Sequence, residues 1–279
     1  MIVMPEYYAP IQPRFLLEGD FYKERRNIWG IKERSEVLFF NFRTPKNGET
    51  GRLPVFPDGC LDLILKCDPV NPALFIYGKL TEYKSDVFDE DTEYFGVRLM
   101  PDQNLKGLTC TMKDLLNQNM PLSNYVKLDG ELLLKLAQKP SFEERITFFQ
   151  ERISPLLPLE QPQPVMMVCT RKIMEQKGNL NLLVLSDITG YSDRYIRKKF
   201  TAEMGLSPKN FCRIIRFQNS LNTLLTGFYE KDKILNAVYD NGYYDEAHFI
   251  NEFRQFTSFT PGFLVKSCLN IQTASCQSL

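Results

Sequence analysis

The chain has 279 residues, enough for two domains of ordinary size, and its 43% hydrophobic and 24% charged residues are typical of a globular protein. Its formal net charge is zero, so the overall charge gives no sign of a nucleic-acid partner. No apolar segment approaches the roughly 20 residues of a membrane helix, and the N-terminus lacks the pattern of a signal peptide. Neither a membrane partner nor a signal peptide is therefore expected.

The first half of the chain is rich in β-branched and aromatic residues arranged in short runs between Pro, Gly and Asp. Such runs predict strands, at Glu36–Phe42, Leu61–Lys66, Ala73–Gly78 and Glu93–Leu99. From Asp102 the leucine spacing predicts helices instead, first around Leu105, Leu108, Leu115 and Leu116, then at Gly130–Gln138 and Phe142–Ile153.

A proline-rich segment, SPLLPLEQPQP at Ser154–Pro164, separates this half from the rest of the chain. Its composition favours an extended, stiff connection. We expect an N-terminal domain at 1–154, a linker at 155–164 and a C-terminal domain at 165–279.

Everything beyond the linker is predicted to be helical. The candidate helices are Val165–Gln176, Leu182–Thr189, Asp193–Met204, Pro208–Thr226, Lys233–Asp240, Glu246–Phe256 and a short one after Pro261. Their candidate N-caps are Ser192, Ser207, Asp232 and Asp245.

The basic residues are concentrated in this C-terminal part. From Val165 onward 14 Lys and Arg accompany 10 Asp and Glu, and before Phe217 the numbers are ten and four. The stretch Arg194–Lys199 alone holds four basic residues around Tyr195 and Ile196. Taken by itself, such a cluster is most often a solvated helix face, so its context decides how it is interpreted.

That context is an internal repeat. An offset of 53 residues aligns Phe200 with Phe253 and Pro208 with Pro261, and an offset of 52 aligns Gly190 with Gly242. Each copy consists of a short helix, a Gly-Tyr turn, a capped helix and a Ser/Thr-Pro helix start, which is a helix-turn-helix unit. The long helix Pro208–Thr226 joins the two copies.

The segments DITGYSDRYIRKKFTAEMGLSPKNFCRIIRFQNSL and AVYDNGYYDEAHFINEFRQFTSFTPGFL resemble the DNA-binding domain of AraC/XylS-type bacterial transcription regulators. The resemblance covers about 90 residues, from Asn179 to Leu264. VFPDGCLDLILK and FGVRLMP resemble, more weakly, the N-terminal domain of a subgroup of these regulators. The second copy departs from the pattern at Val238 and Ser258, which predicts that it packs a little differently.

The resemblance implies an α+β protein. A β-rich N-terminal sensor domain with trailing helices precedes an all-α C-terminal domain of two helix-turn-helix units joined by a long helix. It further implies a sequence-specific, cytoplasmic transcription regulator that is not an enzyme and needs no cofactor or metal. The expected partners are double-stranded DNA at two successive major grooves, a small-molecule effector, RNA polymerase and a second copy of the chain; the N-terminal domain senses the effector, dimerises, or both.

Helical periodicity sorts the residues of the two candidate recognition helices. In the first, Ile196 and Phe200 lie on the anchoring face. The opposite face carries Arg194, Arg197, Lys198 and Thr201, with Lys199 to one side. Arg and Lys can donate to guanine in the major groove or neutralise phosphates.

In the second helix the anchors are Phe249, Phe253 and Phe256. The opposite face carries Ala247, His248, Asn251 and Arg254. Asn can pair with adenine, and Ala can contact a thymine methyl group. Ser207 and Lys209, at the start of the joining helix, are candidate backbone contacts because helix N-termini bind anions.

The first helix therefore supplies most of the charge, and the second makes a lighter contact. Substitutions at Arg194, Arg197 or Lys198 are expected to cost more affinity than those at Ala247, His248 or Asn251.

Two other functional classes fit the sequence less well. A DNA-repair methyltransferase with a similar helical domain needs an activated cysteine, and Cys60 in its Asp-Gly-Cys turn has no histidine in the same half of the chain. A buried structural thiol is therefore favoured there, and the seven cysteines, odd in number and without a C-x-x-C pair, predict free thiols. A ligand-sequestering protein without DNA contact is disfavoured by the two retained polar faces.

Two further groups have a structural and a functional interpretation. The only histidine, His248, is more typical of a surface or groove residue than of a catalyst or metal ligand. A set of aromatic residues is a candidate lining for a ligand pocket, but core packing is the favoured role. The set is Tyr77, Tyr83, Phe88, Tyr94 and Phe95.

Overall fold

A computed structural model describes residues 8–12, 21–30, 35–46, 52–226, 238–239 and 241–267. Its N-terminal part is built on antiparallel strands, and its C-terminal part is helical, so the predicted α+β class is confirmed. Within the described residues, no helix is both long and apolar enough to cross a membrane.

The main sheet has six antiparallel strands in the order β1-β2-β7-β4-β5-β9. They are β1 (Phe21–Ile28), β2 (Glu36–Arg43), β4 (Leu61–Lys66), β5 (Ala73–Tyr77), β7 (Glu93–Leu99) and β9 (Asn119–Pro121). Two small sheets pair β3 (Arg52–Val55) with β6 (Lys84–Val87), and β8 (Asn104–Leu105) with β10 (Leu159–Glu160). All four strands predicted from sequence are present, and the bounds of β4 and β7 are as predicted.

The main sheet is buried on both faces, which explains why successive residues of β2, β4 and β7 are buried with no exposed position between them. Phe39 and Phe95 pack on one face against Trp29 and the helices that follow the sheet. Phe40 and Phe42 pack on the other face, in a smaller cluster with Phe88, Tyr94 and residues of β3. Side chains alternate between the faces along a strand, so a strand buried twice shows no polar alternation.

The prediction of helices from Asp102 onward is wrong for its first part. Leu105 is buried in a strand and pairs with Leu159. Gly107, at φ +81°, then turns the chain. The only helix in this region is α1 (Met112–Leu115), which is closed by a capping box between Thr111 and Asp114. The leucine spacing arises here from two separate buried contacts and not from one helix face.

The proline-rich segment is packed against the sheet half of the protein. Leu157 and Leu159 are buried in the same core as Trp29, and β10 pairs with β8 to form a two-stranded sheet. Before it come α2 (Gly130–Ala137) and α3 (Phe142–Phe148), the latter continuing as a π-helical turn through Phe149–Ile153.

The C-terminal helices follow the prediction closely. They are α4 (Pro164–Glu175), α5 (Leu183–Thr189), α6 (Asp193–Met204), α7 (Pro208–Thr226) and α8 (Glu246–Thr257). A further helical segment covers 261–267. Most of the predicted helix Lys233–Asp240, with its N-cap Asp232, lies outside the described residues.

Candidate DNA-binding surface

The first helix-turn-helix unit consists of α5, a tight turn and α6. Gly190 ends α5 in the left-handed region at φ 71°, which a residue without a Cβ adopts readily. The Ser192 side chain then caps α6 by accepting a hydrogen bond from the Tyr195 backbone N–H at 3.3 Å. Both features are as the sequence predicted, and together they fix the angle between the two helices.

One face of α6 anchors it and the opposite face is open to solvent. Ile196, Phe200 and Met204 are buried, and the Phe200 ring lies 6.0 Å from that of Phe211 on α7. The predicted contact residues Arg194, Arg197, Lys198 and Thr201 are all exposed, and Lys199 is half-buried. The structure thus brings the charges together on the predicted side of the helix.

The four basic side chains of α6 differ in their surroundings. The Arg197 Nε donates to Asp193 Oδ2 at 2.7 Å, in an exposed ion pair one turn apart. The Lys199 Nζ lies 5.8 Å from the centre of the Tyr195 ring. Among the described residues, neither Arg194 nor Lys198 has an ion-pair partner. Those two charges are therefore the most available to an acidic ligand.

The second unit repeats this arrangement. Gly242 turns the chain at φ 73°, and the Asp245 carboxylate caps α8 by accepting from the His248 backbone N–H at 2.7 Å. Phe249, Phe253 and Phe256 are buried. The predicted contact residues on the opposite face are all exposed: Ala247, His248, Asn251 and Arg254.

The Gly-to-Ser difference between the two units does not change the helix cap. Gly205 ends α6 at φ 76°, and its counterpart Ser258 ends α8 at φ 63°. Each cap donates its backbone N–H to the carbonyl of the residue four positions earlier. The different packing predicted from Ser258 is therefore absent at this cap.

The start of α7 lies beside the second unit. The Ser207 side chain accepts from the Asn210 backbone N–H at 3.2 Å, which makes it an N-cap as predicted. Lys209 is exposed and lines a cleft of about 710 Å³ together with His248 and Asn251. Lys209 of α7 and His248 and Asn251 of α8 thus share one concave surface.

Sequence reasoning missed a largely buried ionic network that lines the same cleft. Glu252 of α8 pairs with Arg213 and Arg216 of α7. One signal was present in the sequence, because Glu252 falls three residues after Phe249 and four before Phe256, inside the apolar face.

The N-terminal part contacts both units. The Asn104 amide donates to the carbonyl of Glu203, in the last turn of α6, at 2.7 Å. The Tyr83 backbone N–H donates to the carbonyl of Gln255, in the last turn of α8, at 3.3 Å. A Cβ at Gly205 would lie 2.5 Å from the Met112 carbonyl oxygen, so α1 packs directly on the end of α6.

The joining helix is also held by the N-terminal part. The Gln218 amide is buried and donates to the Pro57 carbonyl at 2.9 Å, and its oxygen accepts from the Ile11 backbone N–H at 2.8 Å. The Phe56 ring meets that of Phe217 edge to face at 6.3 Å. Phe56 and Phe217 belong to a single apolar core that spans both parts of the chain.

The aromatic residues suggested for a ligand pocket are mainly core residues. Phe88 and Tyr94 pack edge to face at 5.0 Å, and Phe95 is fully buried. Tyr77 borders a small cavity of about 20 Å³ near the buried pair of Arg98 and Asp62. That space is no larger than one water molecule.

Cys60 has the surroundings of a structural residue, whereas His248 is a surface residue, as the sequence predicted. Burial and the nearby Asp58 carboxylate raise the pKa of the Cys60 thiol well above its ordinary value. The His248 ring packs 5.4 Å from that of Tyr243. No cluster of metal-ligating side chains occurs among the described residues, and the five described cysteines are free thiols.

Two family models match the chain. A helix-turn-helix domain matches residues 185–267, and a domain of unknown function (DUF6597) matches residues 37–121. Two helix-turn-helix units, each with an exposed polar face, define a tandem helix-turn-helix protein. The C-terminal part of the chain therefore contains a helix-turn-helix domain, and the sheet part matches a domain family whose function is not known.

Curated relatives match about a third of the chain. An uncharacterized HTH-type transcriptional regulator of Staphylococcus aureus (strain MSSA476) is 29% identical over 94 residues, which are 34% of this chain and 12% of that protein. The uncharacterized HTH-type transcriptional regulator YbfI of Bacillus subtilis (strain 168) is 28% identical over 90 residues, 31% of each chain. The matched segment therefore spans less than a third of either relative.

Solved structures with a similar course of the chain include two bacterial proteins. ToxT from Vibrio cholerae O395 aligns over 88% of this chain and 98% of its own, with a TM-score of 0.44 and 10% identity. A probable AraC family transcriptional regulator from Rhodopseudomonas palustris CGA009 aligns over 38% of this chain and 98% of its own, with a TM-score of 0.34 and 21% identity.

Proposed function

We propose that this protein is a sequence-specific DNA-binding transcription regulator. The observation that carries the proposal is the pair of capped helices, α6 and α8, each anchored by phenylalanines and each exposing a polar face. An α-helix fits the major groove, and two such helices on one chain reach successive grooves about 34 Å apart. The basic face of α6 supplies phosphate and guanine contacts, and the face of α8 supplies a less charged contact.

The direct test is selection of binding sites from random double-stranded DNA by the full chain, followed by mobility-shift titration at fixed salt. We expect enrichment of a bipartite sequence whose halves lie about one helical turn apart. Equal affinity for the selected and the random DNA would overturn the proposal, because nonspecific phosphate binding carries no sequence information.

Control by the N-terminal part is the second element of the proposal. Asn104 and Tyr83 hydrogen-bond to the last turns of α6 and α8, so the N-terminal part touches both candidate reading helices at once. A small-molecule effector or a second copy of the chain that shifts the N-terminal part would thereby move those helices. RNA polymerase is the further partner that such regulation requires, and the cytoplasm is the expected location.

The surroundings of Cys60 disfavour the methyltransferase alternative. A methyl acceptor must be a thiolate, and the raised pKa of this buried thiol keeps it protonated. The exposed polar faces of both candidate reading helices likewise disfavour a protein that only sequesters a ligand. A methyl-transfer assay with Cys60→Ser as its control separates a methyltransferase from a regulator.

A further inference from the structure

A charged residue lies inside the anchoring face of the second reading helix. Glu252 is 4% exposed and shares that face with Phe249, Phe253 and Phe256. A buried carboxylate is costly unless it is paired and hydrogen-bonded. Its partners therefore indicate why an apolar residue is not used at this position.

Both partners of Glu252 lie on the joining helix α7. The Arg213 Nε donates to Glu252 Oε2 at 2.7 Å, and the Arg216 Nη2 donates to Glu252 Oε1 at 3.4 Å. Arg213 also donates from Nη2 to the Gln255 Oε1 at 2.6 Å. Two successive turns of α8 are thus tied to one arginine of α7.

The arginines are fixed by aromatic rings as well. The guanidinium of Arg213 lies 5.2 Å from the centre of the Phe256 ring, and that of Arg216 lies 4.8 Å from the centre of the Tyr243 ring. A guanidinium that stacks on a ring while donating in its own plane has a defined orientation. The network is therefore directional, which a contact between apolar surfaces is not.

The first unit is built differently. The 53-residue offset places Lys199 at the position of Glu252, and within the described residues Lys199 has no ion-pair partner on α7. The first unit meets α7 through apolar contacts such as Phe200 on Phe211. The ionic attachment accordingly belongs to the second unit, whose exposed face carries less charge.

We propose that Glu252 and Arg213 are positioning residues for the second reading helix, setting the angle at which α8 is presented to DNA. A weakly charged face gains little from phosphate attraction, so its contribution depends on accurate placement of groups such as Asn251. Hydrogen bonds in a fixed geometry provide that accuracy. The inference rests on the proposed DNA-binding function.

The test uses the full chain and a bipartite DNA duplex enriched from a random pool by the wild-type protein. The two variants are Glu252→Gln and Arg213→Lys. Glu252→Gln removes a negative charge next to a DNA-binding face, so electrostatics alone would strengthen binding. Arg213→Lys keeps the charge but cannot make the two directed bonds from one planar group.

We expect each variant to bind the duplex about tenfold more weakly. Hydroxyl-radical footprints should lose protection over only one half of the site, the same half that Asn251→Ala exposes. The double variant should be little weaker than either single one, because both changes break one network. Arg171→Lys is the matched control and should bind like the wild type, since its pair with Glu175 on α4 is exposed.

Several outcomes would overturn the inference. Full protection of both halves by Arg213→Lys would show that the arginine acts through its charge. An equal loss over both halves, or a lowered melting temperature with an unchanged footprint, would reduce the network to a general stabilising role. If the wild-type protein enriches no bipartite sequence, the proposed function fails first; if it does and the variants match it, only the positioning role fails.

Discussion

The basic residues of α6 differ in how far each is already engaged by another group of the protein. Asp193 already neutralises part of the charge on Arg197, and Lys199 lies over the Tyr195 ring. Arg194 and Lys198 have no such partners among the described residues. They need give up no protein contact to bind DNA, so they should contribute most of the electrostatic binding energy.

We therefore expect Arg194→Ala and Lys198→Ala to lower affinity for a selected DNA site roughly tenfold or more, since a good bidentate base contact contributes about 1–3 kcal/mol. His248→Ala and Asn251→Ala should cost less. Mobility-shift titrations over a salt series check this, because loss of one phosphate contact lowers the slope of log affinity against log salt by about one. The reverse ranking would contradict the division between the two helices.

Lys79 should make the free energy of unfolding depend on pH. The residue is 3% exposed, and its amine donates to the Pro101 carbonyl at 2.8 Å. Burial lowers its pKa from 10.5 to about 8. Between those values the unfolded chain holds the proton that the folded chain has released, so the free energy of unfolding rises with pH.

Lys79→Met should remove that rise. The free energy of unfolding of the wild type relative to Lys79→Met is expected to grow by roughly 3 kcal/mol from about pH 8 to about pH 10.5, at about 1.4 kcal/mol per pKa unit. Urea titrations at matched pH values measure this difference in the free energy of unfolding. The tyrosines and cysteines that also ionise in this pH range are common to both proteins, so their contribution cancels. Parallel pH curves for the two proteins would show that Lys79 keeps its ordinary pKa.

At the scale of elements, the two helix caps offer a paired test. Ser258 holds the left-handed conformation at φ 63°, which costs a residue with a Cβ about 1–2 kcal/mol. Ser258→Gly should raise the free energy of unfolding by about 0.5–1 kcal/mol, after the entropy of glycine is subtracted.

The reciprocal change should have the opposite sign. In Gly205→Ser the new Cβ adopts the same strained conformation and also lies 2.5 Å from the Met112 carbonyl oxygen, so α1 or the end of α6 must shift. Denaturant unfolding of the two variants beside the wild type checks the pair. Stabilisation by both changes, or by neither, would contradict this account of the caps.

The reliability of the sequence prediction differs between elements for physical reasons. The bounds of α6 and α7 were predicted to the residue, because Ser192 and Ser207 are caps and the apolar residues follow one helical period. β1 was missed because it is an edge strand whose described side chains from Lys23 to Arg26 are exposed. β8 and β10 were missed because they pair across more than 50 residues, and such pairing leaves no local pattern.

The candidate site likewise has features that the sequence predicted and features that it did not. Helical periodicity predicted which residues lie on the exposed faces of α6 and α8. The attachment of those helices to the rest of the molecule did not, since Arg213, Asn104 and Tyr83 are distant in sequence from their partners. Glu252 lies in helical phase with the buried phenylalanines of α8, but only the fold shows what neutralises it.

At the scale of the whole molecule, the sheet and the helices share one core. Phe56 and Cys60 are buried in the same cluster as Phe200, Phe217 and the other anchors of the helical units. Folding of the two parts should therefore be coupled, and a change in the N-terminal part has a direct route to the reading helices. Gln218 lies at the centre of this junction, because its buried amide serves both Ile11 and Pro57.

Gln218→Ala should weaken that coupling. It removes the partners of the Ile11 N–H and the Pro57 carbonyl, and a buried group left without a partner costs about 1–3 kcal/mol. The neighbouring Asn219→Ala is the matched control, because the Asn219 amide donates only to the Ile215 carbonyl of its own helix. Its effect on the free energy of unfolding should be smaller.

The single tryptophan makes the coupling measurable. Trp29 is fully buried in the core of the sheet half, so its fluorescence reports unfolding there, whereas far-UV circular dichroism reports mainly the helices. In the wild type the two urea transitions should coincide, which is the mark of one cooperative unit. In Gln218→Ala they should separate, while in Asn219→Ala they should remain together. Separate transitions in the wild type would mean that the shared core does not couple the two parts.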